Sequence, residues 1–367
     1  MAFQILLLVA GLALLIVGAE VLVRGASRIA RAVGISPLVV GLTVVAFGTS
    51  SPEIAVTVQS AFVGKSDLAI GNVVGSNIFN LLVILGLSAV ITPLVISRQV
   101  VRLDLPLMIA VSALVLPLVW NGMLGRLEGG VLLVLLLGYI GLLLRLGRSA
   151  AEERPAEADA PRGALAWVVD LALIMIGLAM LVLGSRWLVD AALVIARSIG
   201  VSDLIVGLTI VAAGTSLPEV ATSVIAAMRG ERDIAVGNVV GSCTFNVLAV
   251  LGISSVVAPA GIAVSPAAIG FDIPIMIAVS LATWPIFRSG HVISRGEGGL
   301  FLFYYVAYTS YLILQATEHD ALPEFNAVLL MFVIPITLLT ALMVALRRRH
   351  DRELMQLHRV PSSRAKR

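Results

Sequence analysis

The sequence predicts an all-α polytopic membrane protein: two inverted five-helix repeats forming a ten-helix core, followed by an eleventh, C-terminal span. Three observations predict it. Of the 367 residues 59% are apolar and 13% charged, with a mean hydropathy of +1.05, whereas soluble globular chains carry roughly 25% charged residues. Residues 34–93 recur at 200–259 without a gap, at a constant offset of 166, and 34 of the 60 pairs are identical. The basic residues, finally, gather in alternate loops.

The apolar stretches are long enough to cross about 30 Å of hydrocarbon. In the first half they fall at 4–24, 37–63, 67–92, 102–120 and 128–146; in the second at 165–190, 203–229, 233–258, 269–288 and 297–316, with the extra span at 323–346. The start, Met1-Ala-Phe-Gln, has no positive n-region, so the first span is expected to stay in place as an uncleaved helix. The charged, Ala/Pro-rich segment 147–163 reads as a linker between a first repeat, 1–146, and a second, 164–316. Residues 317–346 hold the extra span and 347–367 a basic tail. The repeat reaches beyond its best-matched part: Gly18, Arg31 and Gly34 correspond to Gly184, Arg197 and Gly200, Asp104-Leu-Pro106 to Asp272-Ile-Pro274, and Glu128-Gly-Gly to Glu297-Gly-Gly. Five spans per copy is an odd number, so the second copy enters the membrane from the opposite side.

With the N-terminus outside, 21 of the 25 basic residues face inward, the exceptions being Lys65, Arg126, Arg186 and Arg197. The positive-inside rule therefore predicts an outer N-terminus and a cytoplasmic C-terminus in a cell (inner) membrane. Arg347, Arg348 and Arg349 directly follow a span and read as a topology anchor touching anionic lipid, not as a nucleic-acid surface. Cys243 is alone, which excludes a disulfide framework and a cysteine metal site. The four His residues lie in loops or the tail, without metal-ligand spacing.

The most polar part of each repeat is enclosed in apolar sequence. Gly48-Thr49-Ser50-Ser51-Pro52-Glu53 matches Gly214-Thr215-Ser216-Leu217-Pro218-Glu219, and Gly71-Asn72-Val73-Val74-Gly75-Ser76-Asn77-Ile78-Phe79-Asn80 matches 237–246. Proline lacks an N–H and clashes with the carbonyl four residues back. Pro52 should therefore kink its helix at Gly48 and release carbonyls around Ala46 to Thr49. In hydrocarbon such groups persist only where they line a cavity or bind something. Released carbonyls, the hydroxyls of Thr49 and Ser50 and the carboxylate of Glu53 make an oxygen-only set suited to hard cations, Ca²⁺ and Na⁺ above all. Ser76 and Asn80 are four apart and share a helix face, while Gly71 and Gly75 form a small-xxx-small stripe for close helix approach. The symmetry brings Glu53 and Glu219 face to face near the midplane, and intramembrane carboxylates are functional by default.

These two motifs resemble the alpha-repeats of the cation/Ca²⁺ exchanger superfamily, and within it bacterial Na⁺/Ca²⁺ exchangers, over about residues 1–316. The resemblance implies that Glu53 and Glu219 are the central carboxylates shared by Ca²⁺ and Na⁺. It implies that Thr49 and Thr215 give carbonyls to Ca²⁺, and that the Ala46 and Ala212 carbonyls with Ser50, Ser216, Ser76 and Ser242 serve Na⁺. The resemblance further implies that Asn80 and Asn246 complete the middle of the site and that the first and sixth helices slide over the remaining core. Some members carry Asp at the position of Asn246; here both halves carry Asn, leaving two carboxylates, enough to neutralise one Ca²⁺, and arguing against K⁺ co-transport. The central loop is too short for the Ca²⁺-sensing domains of animal relatives.

The expectation is thus a secondary antiporter, not an enzyme, with no cofactor or ATP site. It exchanges Ca²⁺ for Na⁺ by alternating access and extrudes Ca²⁺. A Ca²⁺/H⁺ antiporter using the same glutamates stays open, and a passive channel fits inverted repeats less well. Other features read as ordinary structure: Glu20–Arg24 and Arg186–Asp190 as i,i+4 pairs, Asp104 and Asp272 as helix-start residues, the tyrosines 304, 305, 308 and 311 as packing, and the loop with Glu318, Asp320 and Glu324 as a solvated acidic patch. The extra span is assigned to packing or an oligomer contact.

Overall fold

In the computed structural model the described residues are 2–33, 35–153, 164–198, 212–288, 290–317 and 322. They form helices α1 (Ala2–Val33), α2 (Pro37–Thr49), α3 (Ser51–Phe62), α4 (Ser66–Ile91), α5 (Val100–Leu118) and α6 (Arg126–Glu153). The second repeat supplies α7 (Ala164–Ser198), α8 (Ala212–Gly214), α9 (Leu217–Met228), α10 (Arg232–Val257), α11 (Ala268–Arg288) and α12 (Arg295–Ala316). Among the described residues seven helices are long and apolar enough to cross a membrane, and the bent pair α2–α3 makes an eighth. Most of the first half of the expected seventh span, the extra span, the acidic loop and the basic tail lie outside the described residues. By backbone contacts the chain divides into Met1–Ala307 and Tyr308–Arg367; the described part of the latter continues α12.

Several boundaries differ from the sequence expectation, each for a local reason. The first helix runs to Val33, well past residue 24, because Gly25, Ala26 and Ala30 stay buried while Arg24 and Arg31 point outward; amphipathic spacing carries it beyond the apolar run. The fifth continues to Glu153, into the segment expected as linker. Asp104 and Asp272 do not start helices. Ser97 Oγ accepts from Val100 N at 3.3 Å and Ser265 Oγ from Ala268 N at 3.4 Å, so a serine caps each helix two turns earlier and Asp104 sits inside it, fully buried.

The layers follow from burial. In their apolar windows α4 is 72% and α10 89% buried, against 28% for α1 and 22% for α7. The repeated polar motif therefore lies at the centre, and α1 and α7 are peripheral, with Phe3, Leu6, Val9, Val168, Leu171 and Met175 exposed as a lipid-facing surface. The peripheral pair is joined along glycines. A Cβ on Gly184 would fall 2.7 Å from the Gly11 carbonyl oxygen, and one on Gly18 3.0 Å from that of Gly177, so only glycine lets these backbones meet. At the centre, a Cβ on Gly241 would sit 2.8 Å from Ala46 Cβ, which seats α10 against α2. Gly71 and Gly75, expected to form a stripe for close helix approach, meet nothing within 4 Å among the described residues, whereas their mates Gly237 and Gly241 lie against Leu38 and Leu42 of α2.

Two-residue strands, absent from the sequence reading, join the repeats at both ends. Leu94–Val95 (β1) pairs antiparallel with Val292–Ile293 (β4), and Met123–Leu124 (β2) with Ile262–Ala263 (β3). Each ladder unites two loops that an inverted topology puts on the same side. Gly64 and Gly230, 166 apart, end α3 and α9 with φ of 77° and 79°, the left-handed conformation glycine adopts without strain.

Candidate functional site

The site grows from the two proline breaks. Between α2 and α3 the chain bends by 45°, with Ser50 at φ −79°, ψ 7° and Ser216 at φ −89°, ψ 7° in the second copy. Pro52 and Pro218 occupy the first turn after the break, where a missing N–H costs nothing. Glu53 and Glu219 follow directly, in the first turn of α3 and α9 and thus near the positive end of each helix. The release of carbonyls is less complete than expected at Ala46, which still accepts from Ser50 N at 3.0 Å. In the second copy Ser216 N turns instead to Ala213 O at 3.2 Å, and the Gly214 carbonyl, four residues before Pro218, is taken by Ser185 Oγ of α7 at 2.6 Å.

Glu53 and Glu219, each 1% exposed, are held by the opposite repeat. Ser50 Oγ donates to Glu219 Oε1 at 3.2 Å and Ser216 Oγ lies 3.0 Å from Glu53 Oε1; Ser76 Oγ is 3.2 Å from Ser216 Oγ. Glu53 Oε2, Glu219 Oε2, Asn80 Oδ1, Asn246 Oδ1 and Ser242 Oγ are buried with no hydrogen-bond partner among the described residues. Buried oxygens are ordinarily satisfied, and carboxylates in a low dielectric need a counter-charge. These five oxygens, on α3, α9, α4 and α10, are the candidate ligands for a cation. Asn80 and Asn246 each open a π-helical turn, Asn80–Ile84 and Asn246–Leu251, the kind of irregularity that clusters at functional positions. Ala46 is buried beside the first break, Ala212 opens α8, and Thr49 and Thr215 occupy matching places at the two breaks.

The cluster holds residues the sequence reading did not single out. Thr49 Oγ1 lies 3.1 Å from Asn238 Oδ1 and Thr215 Oγ1 3.3 Å from Asn72 Oδ1. Asn72 Nδ2 donates to Thr57 Oγ1 at 2.9 Å and Asn238 Nδ2 to Ser223 Oγ at 2.9 Å. Asn72, Ser76 and Asn80 fall four apart on one face, the signal that points to them. Asn77 has no counterpart, its mate being Cys243. It accepts from Asn246 Nδ2 at 3.1 Å and donates to Cys243 O at 3.2 Å. No group of three or more His, Cys, Asp or Glu side chains clusters among the described residues, so the candidate site carries two acidic groups. Toward one end of α1, Glu20 pairs with Arg24 as expected, at 2.7 Å, and also with Arg229 at the end of α9. Arg31 reaches Glu231 at 3.8 Å.

Two inverted halves meeting at paired intramembrane glutamates define a secondary transporter. Comparison with known proteins makes this particular. The family model described as sodium/calcium exchanger protein matches residues 3–145 and 169–314, and the chain belongs to that family. It is 38% identical over 284 residues to the inner membrane protein YrbG of Escherichia coli, covering 75% of this chain and 86% of that one. It is 31% identical over 340 residues to the sodium/calcium exchanger MaX1 of Methanosarcina acetivorans, covering 83% and 96%. Among solved structures, the sodium-calcium exchanger NCX_Mj soaked with Na⁺ and Ca²⁺ superposes with a TM-score of 0.73 at 30% identity, over 84% of this chain and 98% of that one. The protein is a multi-pass cation/Ca²⁺ antiporter.

Proposed function

We propose that this antiporter exchanges Ca²⁺ for Na⁺ by alternating access in the inner membrane, moving Ca²⁺ outward, with Glu53 and Glu219 at the centre of its site. The observation that carries the reading is the crossed pair: each glutamate bonded by the other repeat's serine, each with its second oxygen buried and without a partner among the described residues. Two carboxylates match the charge of one Ca²⁺, and oxygen-only sets are what Ca²⁺ and Na⁺ take. Carbonyls of Thr49 and Thr215 join the glutamates around Ca²⁺. Na⁺ uses Ser50, Ser216, Ser76 and Ser242 with the Ala46 and Ala212 carbonyls, and Asn80 and Asn246 close the middle. An unfilled pair of buried carboxylates is too costly to carry through an occluded state, so the core changes sides when cations neutralise it. Ca²⁺ and Na⁺ thereby compete for one place, which couples their fluxes. The names of MaX1 and NCX_Mj support Na⁺ as the counter-ion. The 21 inward basic residues support an outer N-terminus, and the name of YrbG supports the inner membrane.

The test is Ca²⁺ uptake by proteoliposomes under an imposed Na⁺ gradient, a pH gradient or neither, with and without K⁺. Uptake following the Na⁺ gradient, indifferent to K⁺, is the expected result. Glu53→Gln and Glu219→Gln each abolish it while the protein stays monodisperse. Uptake driven by the pH gradient alone establishes a Ca²⁺/H⁺ antiporter instead, and fast uptake without a counter-gradient establishes a channel.

A further inference from the structure

Asn72 and Asn238 stand outside the proposed ligand set, yet each touches both repeats. Asn238, fully buried on α10, lies with its Oδ1 3.1 Å from the Thr49 hydroxyl of the first repeat. Its Nδ2 donates to Ser223 Oγ at 2.9 Å and contacts the Glu219 carbonyl at 3.4 Å. Asn72 does the same in reverse, accepting from Thr215 at 3.3 Å and donating to Thr57 at 2.9 Å. Thr57 and Ser223 lie four residues after Glu53 and Glu219, one turn along the same helix face. Each amide is therefore a crossbar. One end holds the helix that carries its own repeat's glutamate, and the other holds the opposite repeat's helix break.

The amide group suits this place because it accepts at one atom and donates at the other. The Asn238 amide is engaged at both ends, and a buried donor or acceptor left without its partner is costly. The threonine hydroxyl is the group each break presents across the interface, and that of Thr49 shares its single proton among Asn238 Oδ1 at 3.1 Å and its own helix's Val45 and Ala46 carbonyls at 3.1 and 3.3 Å. Resting on the site proposed above, we infer that Asn72 and Asn238 are positioning residues that set cation affinity. Each locks the break bearing Thr215 or Thr49 against the glutamate helix of the other repeat, without being a ligand itself. The bond crosses between residues 189 apart for Thr49–Asn238 and 143 apart for Thr215–Asn72, so each half of the site is shaped by the other.

The experiment is calorimetric titration of the purified full-length protein with Ca²⁺, alongside its unfolding temperature without Ca²⁺. Outer groups that orient metal ligands change affinity by about 10–100-fold when removed. Asn238→Ala and Thr49→Val, the latter keeping shape and backbone carbonyl, should each weaken Ca²⁺ binding about tenfold. Asn238→Ala also removes the Ser223 and Glu219 carbonyl contacts, but across the interface both variants remove the same Thr49–Asn238 bond, so the double variant should be no weaker than the worse single. Asn238→Ala with Thr215→Val cuts two different bonds, and its losses should multiply to about a hundredfold. The pair Asn72→Ala and Thr215→Val repeats the test in the other half, and carries it should Asn238→Ala not fold. A single-variant affinity within twofold of wild type overturns the inference. So do multiplicative losses for Thr49→Val with Asn238→Ala, or a lower unfolding temperature with unchanged affinity. Wild-type protein that binds no Ca²⁺ at all overturns the functional reading itself, and this inference with it.

Discussion

The first repeat and the second carry the same polar residues 166 positions apart, but they are fastened to their surroundings differently. At the candidate site four bonds are mirrored, Ser50 on Glu219 and Ser216 on Glu53, Thr49 on Asn238 and Thr215 on Asn72, while Ser76 on Ser216 and the amide pair Asn77–Asn246 have no mirror mate among the described residues. Away from it the mirror fails. The carbonyl of Gly214 is taken by Ser185 of α7, whereas the counterpart of Ser185 in α1 is Ala19, which has no hydroxyl. Glu20 of α1 is paired with Arg229, whereas position 186 holds Arg and position 63 Val. An inverted-repeat transporter passes between its states as one bundle rocks against the other around a fixed site. The Ser185 and Glu20 bonds lie on α7 and α1, which are 22% and 28% buried in their apolar windows.

Substitutions can break the comparison, and their effects should run from the shared contacts down to the half-exposed ones. The largest effect is expected at the glycine seam that joins the repeats. Gly184→Leu forces a side chain against the Gly11 carbonyl and the backbone of Leu15. It should cost about 3 kcal/mol or more by overpacking, read as loss of the monodisperse protein in detergent; Gly18→Leu should match it. A middle effect belongs to Ser185→Ala, which leaves the Gly214 carbonyl buried without its donor and should lower stability by about 1–3 kcal/mol. Ala19→Ser, at the mirror position, removes no bond present in the structure, and a loss equal to that of Ser185→Ala would refute the asymmetry. The smallest effect is expected for Glu20→Gln. Its partner Arg229 is 36% exposed, so the loss should stay under about 1 kcal/mol and fade at high salt, measured as unfolding temperature in low and high NaCl.

Much of the architecture was legible because lipid makes polar residues conspicuous. Glu53 and Glu219 stood out as carboxylates inside apolar runs, and the constant offset of 166 made the inversion a matter of counting spans. Less legible were the ends of elements. Hydropathy stopped the first helix near Arg24, since charged residues on its outer face mask the small buried ones that carry it to Val33. Asp104 looked like a helix start because a proline follows closely, yet Ser97 had already capped the chain. Asn72 and Asn238 were visible as motif residues, with Asn72 in step with Ser76 and Asn80. Ser185 gave no signal at all, because an isolated serine in a membrane helix most often bonds its own backbone.

By itself the sequence determined the membrane class, the duplication, the inversion and the chemical character of the residues at its centre. These follow from local rules: what hydrocarbon tolerates, where proline breaks a helix, and how an odd number of spans turns a copy over. Only the tertiary structure decided which oxygens meet and which remain unpartnered. Ser50 meets Glu219 across 169 positions of chain and Ser216 meets Glu53 across 163. Helical periodicity reports which face a residue occupies and carries no information on which distant face lies opposite. That choice is made by the glycine contacts that let α10 close on α2 and α7 on α1.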